Sequence, residues 1–197
     1  MHMRKKKWSR PELAACPWCA DEPRELKGRW RERFARPDAP FDVELGCGKG
    51  VSTAQMIHAE RERNFLAIDI SPDVLGCALR NIRAAFGEEE IDNAMLARCD
   101  IEHIDWVLGP EDAVDRIVIS FCNPWDARPR QHRRRLTHPR QLMQYRAFLK
   151  DGGLILFKTD DEQLYRDSLG YLEACGFQIV FRTEDLHRSG WSPNYIS

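Results

Sequence analysis

The sequence predicts an α/β fold, a mostly parallel sheet with helices on both faces. Three observations carry that prediction. From Phe41 onward, short apolar strand-like runs alternate with longer helix-like ones. The first run breaks into a glycine-rich loop, Phe41-Asp-Val-Glu-Leu-Gly-Cys-Gly-Lys-Gly50. Acids at Glu44, Asp69 and Asp100 fall at the ends of successive strands, which puts them on the carboxyl edge, where open α/β sheets bind ligands.

Residues 1–38 are rich in Arg, Pro and Trp without clear periodicity and read as a basic N-terminal arm, tacked down by Trp8, Trp18 and Trp30. Residues 39–197 read as the catalytic domain. Its expected order is strand 41–46, helix 50–62, strand 64–70, helix 72–86 and strand 93–99. Ser71-Pro72 supplies a cap and a first-turn proline for the second helix, and Asp73 suits its dipole. A fourth strand, 115–121, is almost continuously apolar and opens into Cys122-Asn-Pro-Trp125. A helix over 139–150, a strand over 154–157 after Asp151-Gly-Gly153, a helix over 161–174 and a strand over 177–182 complete the pattern.

A chain of 197 residues with 43% hydrophobic content suits one domain with a sizeable core. The net charge of -1 conceals local asymmetry. Arg4-Lys-Lys-Lys7, 27–36 and 128–140 are basic, whereas Glu88-Glu-Glu90 and Asp160-Asp-Glu162 are acidic. Such tracts fit a polyanion-facing surface, although a charge run is more often a solvated face. No stretch approaches a membrane span, and the cationic start lacks the apolar region of a signal peptide, so a cytoplasmic location is expected. The seven cysteines read as small buried hydrophobes. Cys16-Pro-Trp-Cys19 lacks the second pair a zinc site needs, and no metal site is expected.

The glycine spacing discriminates between phosphate loops. A dinucleotide fingerprint requires G-x-G-x-x-G, but Gly46 and Gly48 are followed by Gly50, and Val51 takes the place of the last glycine. A P-loop requires another order than Gly48-Lys-Gly-Val-Ser52. E-x-G-x-G-x-G resembles the S-adenosylmethionine loop of Rossmann-like methyltransferases. Asp69, about twenty residues on, stands where such folds grip a ribose diol.

A more specific resemblance covers the chain from about Lys27 to its end. ELGCGKG, then SFCNPWDARPRQHRRRLTHPRQLMQYRAFLKDGGLILFKTDD, then TEDLH are similar to the tRNA (guanine-N7-)-methyltransferases of bacteria. The resemblance implies a Rossmann-like class I methyltransferase fold with a mostly parallel seven-stranded sheet ending in an antiparallel strand. It implies S-adenosylmethionine as donor and a guanosine of the tRNA variable loop as acceptor. By position, Glu44, Asp69, Asp100 and Asn123 line the donor site, Gly46, Gly48 and Gly50 form its floor, and Asp160 contacts RNA with Thr159 beside it. Asn123 stands where the family has a catalytic Asp, and Ala127 where it has a Lys, for which Arg128 is a candidate replacement. After Leu186-His187 the family continues to a Thr-Glu-Tyr/Phe-Glu segment, so an end shortened at Ser197 is expected.

Guanine N7 carries a lone pair and no proton, so methyl transfer needs alignment rather than a general base. Asn123 keeps hydrogen-bonding ability but not the charge that would stabilise the methylated ring. Arg128, His132, Arg133, Arg134 and Arg135 follow this loop and are expected to contact RNA phosphates. Two alternatives stand beside this reading: a small-molecule methyltransferase on the same fold, and a catalytically weakened or inactive tRNA-binding homologue. Monomer and homodimer are both compatible with the sequence, and no protein partner is implied.

Overall fold

The computed structural model describes residues 5–195. Arg4 of the first basic run and the terminal Ser197 lie outside the described residues. Six strands form one sheet: β1 (Cys19–Ala20), β2 (Phe41–Leu45), β3 (Asn64–Asp69), β4 (Ala94–Arg98), β5 (Val114–Ser120) and β6 (Leu149–Lys158). They are ordered β1-β4-β3-β2-β5-β6, and every neighbouring pair is parallel. The helices are α1 (Ser9–Ala14), α2 (Val51–Ala59), α3 (Pro72–Phe86), α4 (Pro139–Tyr145) and α5 (Glu162–Ala174).

The chain builds outward from β2 through β3 to β4, then returns across the sheet to β5 and β6. Right-handed crossovers in opposite directions put α2 and α3 on one face and α4 on the other, where α5 packs against α4. The reversal creates a topological switch point between β2 and β5, whose carboxyl ends flank a crevice. Central strands are buried on both sides, so β2 is buried at all five positions, including Asp42 and Glu44. At the opposite edge Arg63 and Arg116 each reach the Asp42 carboxylate at 2.5 Å, which neutralises that buried charge.

The N-terminal segment is more ordered than its lack of periodicity predicts. α1 lies across α3: Ser9 is fully buried, its hydroxyl donates to the Pro72 carbonyl, and a Cβ on Gly76 would overlap it. Trp30 is fully buried and donates from Nε1 to the Val107 carbonyl at 2.9 Å. Arg80 stacks 3.5 Å above the Trp8 ring. β1 adds a short edge strand beside β4. These elements exist through tertiary contacts, so local sequence pattern does not announce them.

The remaining differences concern boundaries and the far edge. β6 starts at Leu149 because Asp151-Gly-Gly153 forms a bulge: the pairing advances from Val114 to Arg116 on β5 while it advances from Leu149 to Leu154 on β6. α4 therefore stops at Tyr145, short of the expected 150. The expected strand 177–182 is irregular here. It joins no ladder, and an apolar run becomes a strand only through a paired neighbour. Six parallel strands among the described residues thus replace the expected seven. No helix among the described residues is long and apolar enough to cross a membrane.

Candidate active site

The glycine loop leaves β2 at the switch point and is stitched to β3. Gly46 and Cys47 both donate to the Ile68 carbonyl, at 2.9 and 3.0 Å, and the Gly48 amide donates to Asp69 Oδ2 at 3.1 Å. Asp69 Oδ1 accepts from the Ser71 amide at 2.9 Å. Burial pushes the Asp69 carboxyl upward, and these amides act in the opposite direction. Two glycines have separate reasons for being glycine. At φ 69° a Cβ on Gly50 would lie 2.6 Å from Ala78 Cβ, so α3 presses directly on the loop. At φ 58° Gly48 faces open space, which leaves backbone bare for a ligand.

Beneath the loop, Glu44 is only 3% exposed, and the Thr53 hydroxyl donates to its Oε2 at 2.5 Å. Desolvation pushes the Glu44 carboxyl up to about 7, against the Thr53 hydrogen bond and the charge of Lys158. Lys158 ends β6 and is held lower than an ordinary lysine by burial, with Glu44 opposing. Asp100 is exposed at the end of β4 and accepts from the Glu102 amide at 3.1 Å.

The second loop leaves β5 on the other side of the crevice. Its first residue, Phe121, has φ 51° and donates its amide to the Lys158 carbonyl at 2.9 Å. Asn123 Oδ1 accepts from the Trp125 amide at 2.9 Å, and Trp125 has φ 48°. Two bulky residues in the left-handed region within five positions mark backbone strain of the kind that clusters at functional sites. Thr159 and Asp160 follow β6 at the same edge. Thr159 Oγ1 accepts from the Asp161 amide at 3.1 Å, while Asp160 is exposed.

The arginine segment returns from the second loop to the first. Leu136 approaches Gly46 so closely that an added Cβ would sit 3.3 Å from its Cδ1. Arg128, Arg133 and Arg134 are exposed, His132 is half-buried, and the Arg134 guanidinium lies 5.0 Å from the Trp125 ring centroid. Arg135 corrects the expectation of a phosphate contact. It is 0% exposed, donates from Nε to the Pro124 carbonyl at 2.6 Å and pairs with Asp167 at 2.5 Å. It is an internal strut that fixes the Asn-Pro-Trp loop, and a run of three arginines contains no sign of which one turns inward. Thr53 and Lys158 are the other residues the sequence leaves without a role. Thr53 shares no local pattern with Glu44, and Lys158 stands beside the assigned Thr159 and Asp160.

Residues 38–197 match the family model described as "Putative methyltransferase". A tRNA (guanine-N(7)-)-methyltransferase of Clostridium perfringens is 46% identical over 199 residues, covering 100% of this chain and 90% of that protein. The chain belongs to the tRNA (guanine-N7-)-methyltransferase family. A second member, from Clostridium beijerinckii, is 48% identical over 191 residues, 96% of this chain and 86% of its own. Among solved structures, a precorrin-6y C5,15-methyltransferase from Geobacter metallireducens GS-15 superposes with a TM-score of 0.54 at 14% identity, covering 88% of this chain and 72% of that one. That likeness speaks for the methyltransferase fold alone.

Proposed function

We propose that this protein transfers the methyl group of S-adenosylmethionine to N7 of a guanosine in the variable loop of tRNA. The observation that carries the reading is the meeting of two loops at one switch point. A bare glycine cradle with a buried acid lies on one side, and a strained Asn-Pro-Trp loop leading into exposed arginines lies on the other. The cradle fits an adenosyl donor. Gly48 leaves room against the backbone, and the Asp69 oxygens, with four lone pairs between them, retain capacity for a ribose diol beyond the backbone amides of Gly48, Ser71 and Ile70. Gly46, Gly48 and Gly50 would form the floor, and Glu44, Asp69, Asp100 and Asn123 the walls.

Bound S-adenosylmethionine supplies a methyl group on a sulfonium, which is electrophilic without further activation. The protein's work is therefore positional, because N7 has a free lone pair and no proton to remove. Asn123, with Oδ1 engaged by its own loop, keeps its amide hydrogens for orienting the base or donor. Arg135 holds that loop from behind, and Arg128, Arg133, Arg134 and the half-buried His132 meet phosphate. Asp160 and Thr159 contact the nucleotide from the end of β6. Such a tRNA-modifying protein acts in the cytoplasm.

The test is incubation with labelled S-adenosylmethionine and unmodified tRNA, followed by nucleoside analysis. Label in 7-methylguanosine supports the reading. Binding of tRNA without label identifies an inactive RNA-binding homologue, and label confined to a small acceptor identifies the other alternative.

A further inference from the structure

A cavity of about 670 Å³ runs from the carboxyl edge along β6, and both Glu44 and Lys158 line it. Lys158 is a half-buried cation without a matching anion at contact distance. Among the described residues no carboxylate lies within 4.0 Å of its ammonium, and its contacts are the Tyr195 carbonyl and the Phe121 ring, whose centroid is 5.4 Å away. Its position is fixed by pairing opposite Ser120, one residue before Phe121. Glu44, also without a cation at contact distance among the described residues, is held by the Thr53 hydroxyl. Glu44 pairs with Val118 and Val118 with Leu156, two residues before Lys158, so both side chains leave the same face of the sheet into the cavity they line.

One buried carboxylate and one half-buried ammonium in a single cavity form the complement of an α-amino acid zwitterion. We infer that Lys158 binds the α-carboxylate of the methionine moiety of the donor, while Glu44 takes its α-ammonium. The inference rests on the proposed donor reading. Electrostatics argue against placing Lys158 at the acceptor base instead. A cation beside O6 and N7 would draw electron density from the nucleophile and repel the positive charge that methylation creates. The exposed arginines are better placed for phosphate than a residue inside a cavity. A charge-assisted contact of this kind corresponds to roughly ten- to a hundredfold in affinity.

The experiment is calorimetric binding of two probes to the full chain: S-adenosylhomocysteine and its decarboxylated analogue, which keeps the ammonium. Wild-type protein is expected to prefer S-adenosylhomocysteine by about tenfold or more. Lys158→Met is expected to abolish that preference while leaving the analogue within about twofold of wild type, and Lys158→Arg to retain most of it. A wild type without preference, or a Lys158→Met protein that keeps it, overturns the inference. So does a Lys158→Met protein that loses tRNA affinity and keeps S-adenosylhomocysteine affinity, which would assign the anion to RNA phosphate. A wild type that binds neither probe overturns the donor reading itself. The wild-type comparison stands even if Lys158→Met fails to fold.

Discussion

The Thr53 hydroxyl donates a 2.5 Å hydrogen bond to the buried carboxylate of Glu44, joining the first turn of α2 to β2. That carboxyl has its pKa raised from 4.5 to about 7 in the folded protein. The unfolded chain therefore releases its proton first as pH rises. The stabilisation is complete below 4.5 and is lost as pH climbs through 7, a difference of about 3 kcal/mol. Without ligand, Glu44→Gln is expected to match wild type near pH 4.5 and to exceed its stability by about this amount at pH 8. Urea unfolding across that range checks the sign. The same substitution is expected to abolish S-adenosylhomocysteine binding.

Two glycines of one loop are expected to fail differently. Gly50→Ala drives a Cβ to 2.6 Å from Ala78 Cβ in a left-handed backbone, so about 3 kcal/mol of stability should disappear. Gly48→Ala meets no atom within 4 Å and should cost only about 1 kcal/mol for its φ. Its methyl group fills the cradle, so donor affinity should fall further than stability. Thermal melts and S-adenosylhomocysteine titrations of the two variants separate the effects.

Arg135 and its neighbours are expected to part company in the same way. Arg135→Met deprives the Pro124 carbonyl of its donor and Asp167, which keeps the Gln163 amide, of its cation, and should remove about 2 kcal/mol. Arg133→Gln with Arg134→Gln should leave the melt nearly unchanged, weaken tRNA binding and lower the salt slope by about one per lost phosphate contact. An unchanged slope would show that these arginines are merely solvated.

Asn123→Asp returns a negative charge to the strained loop beside the reacting edge. Single-turnover formation of 7-methylguanosine should rise by about tenfold, equivalent to about 1.4 kcal/mol. An unchanged rate would assign position 123 a purely orienting role.

Much of the fold was legible because the central strands are local events with strong signals. The almost continuously apolar run 115–121 and the sequence Ser71-Pro72-Asp73 specify their elements almost alone. The arm was illegible for the opposite reason. α1 and β1 are held by Ser9 against Gly76 and by pairing with β4, contacts that join residues far apart in sequence. The run 177–182 reads as a strand yet finds no ladder, since a strand depends on its neighbour.

By itself the sequence determined the donor loop: glycine spacing, an acid before it and an acid closing the next strand are local features with chemical meaning. It also determined the family, through the composite of loop, arginine segment and Lys158-Thr159-Asp160. Only the tertiary structure decided how these parts meet. It turned Arg135 inward while leaving Arg133 and Arg134 in solvent, folded Leu136 onto Gly46, and put Glu44 and Lys158 on one cavity. The physical reason is that burial and charge coupling depend on which strands become neighbours. β2 and β5, whose paired residues lie 74 positions apart along the chain, become neighbours only when the sheet forms.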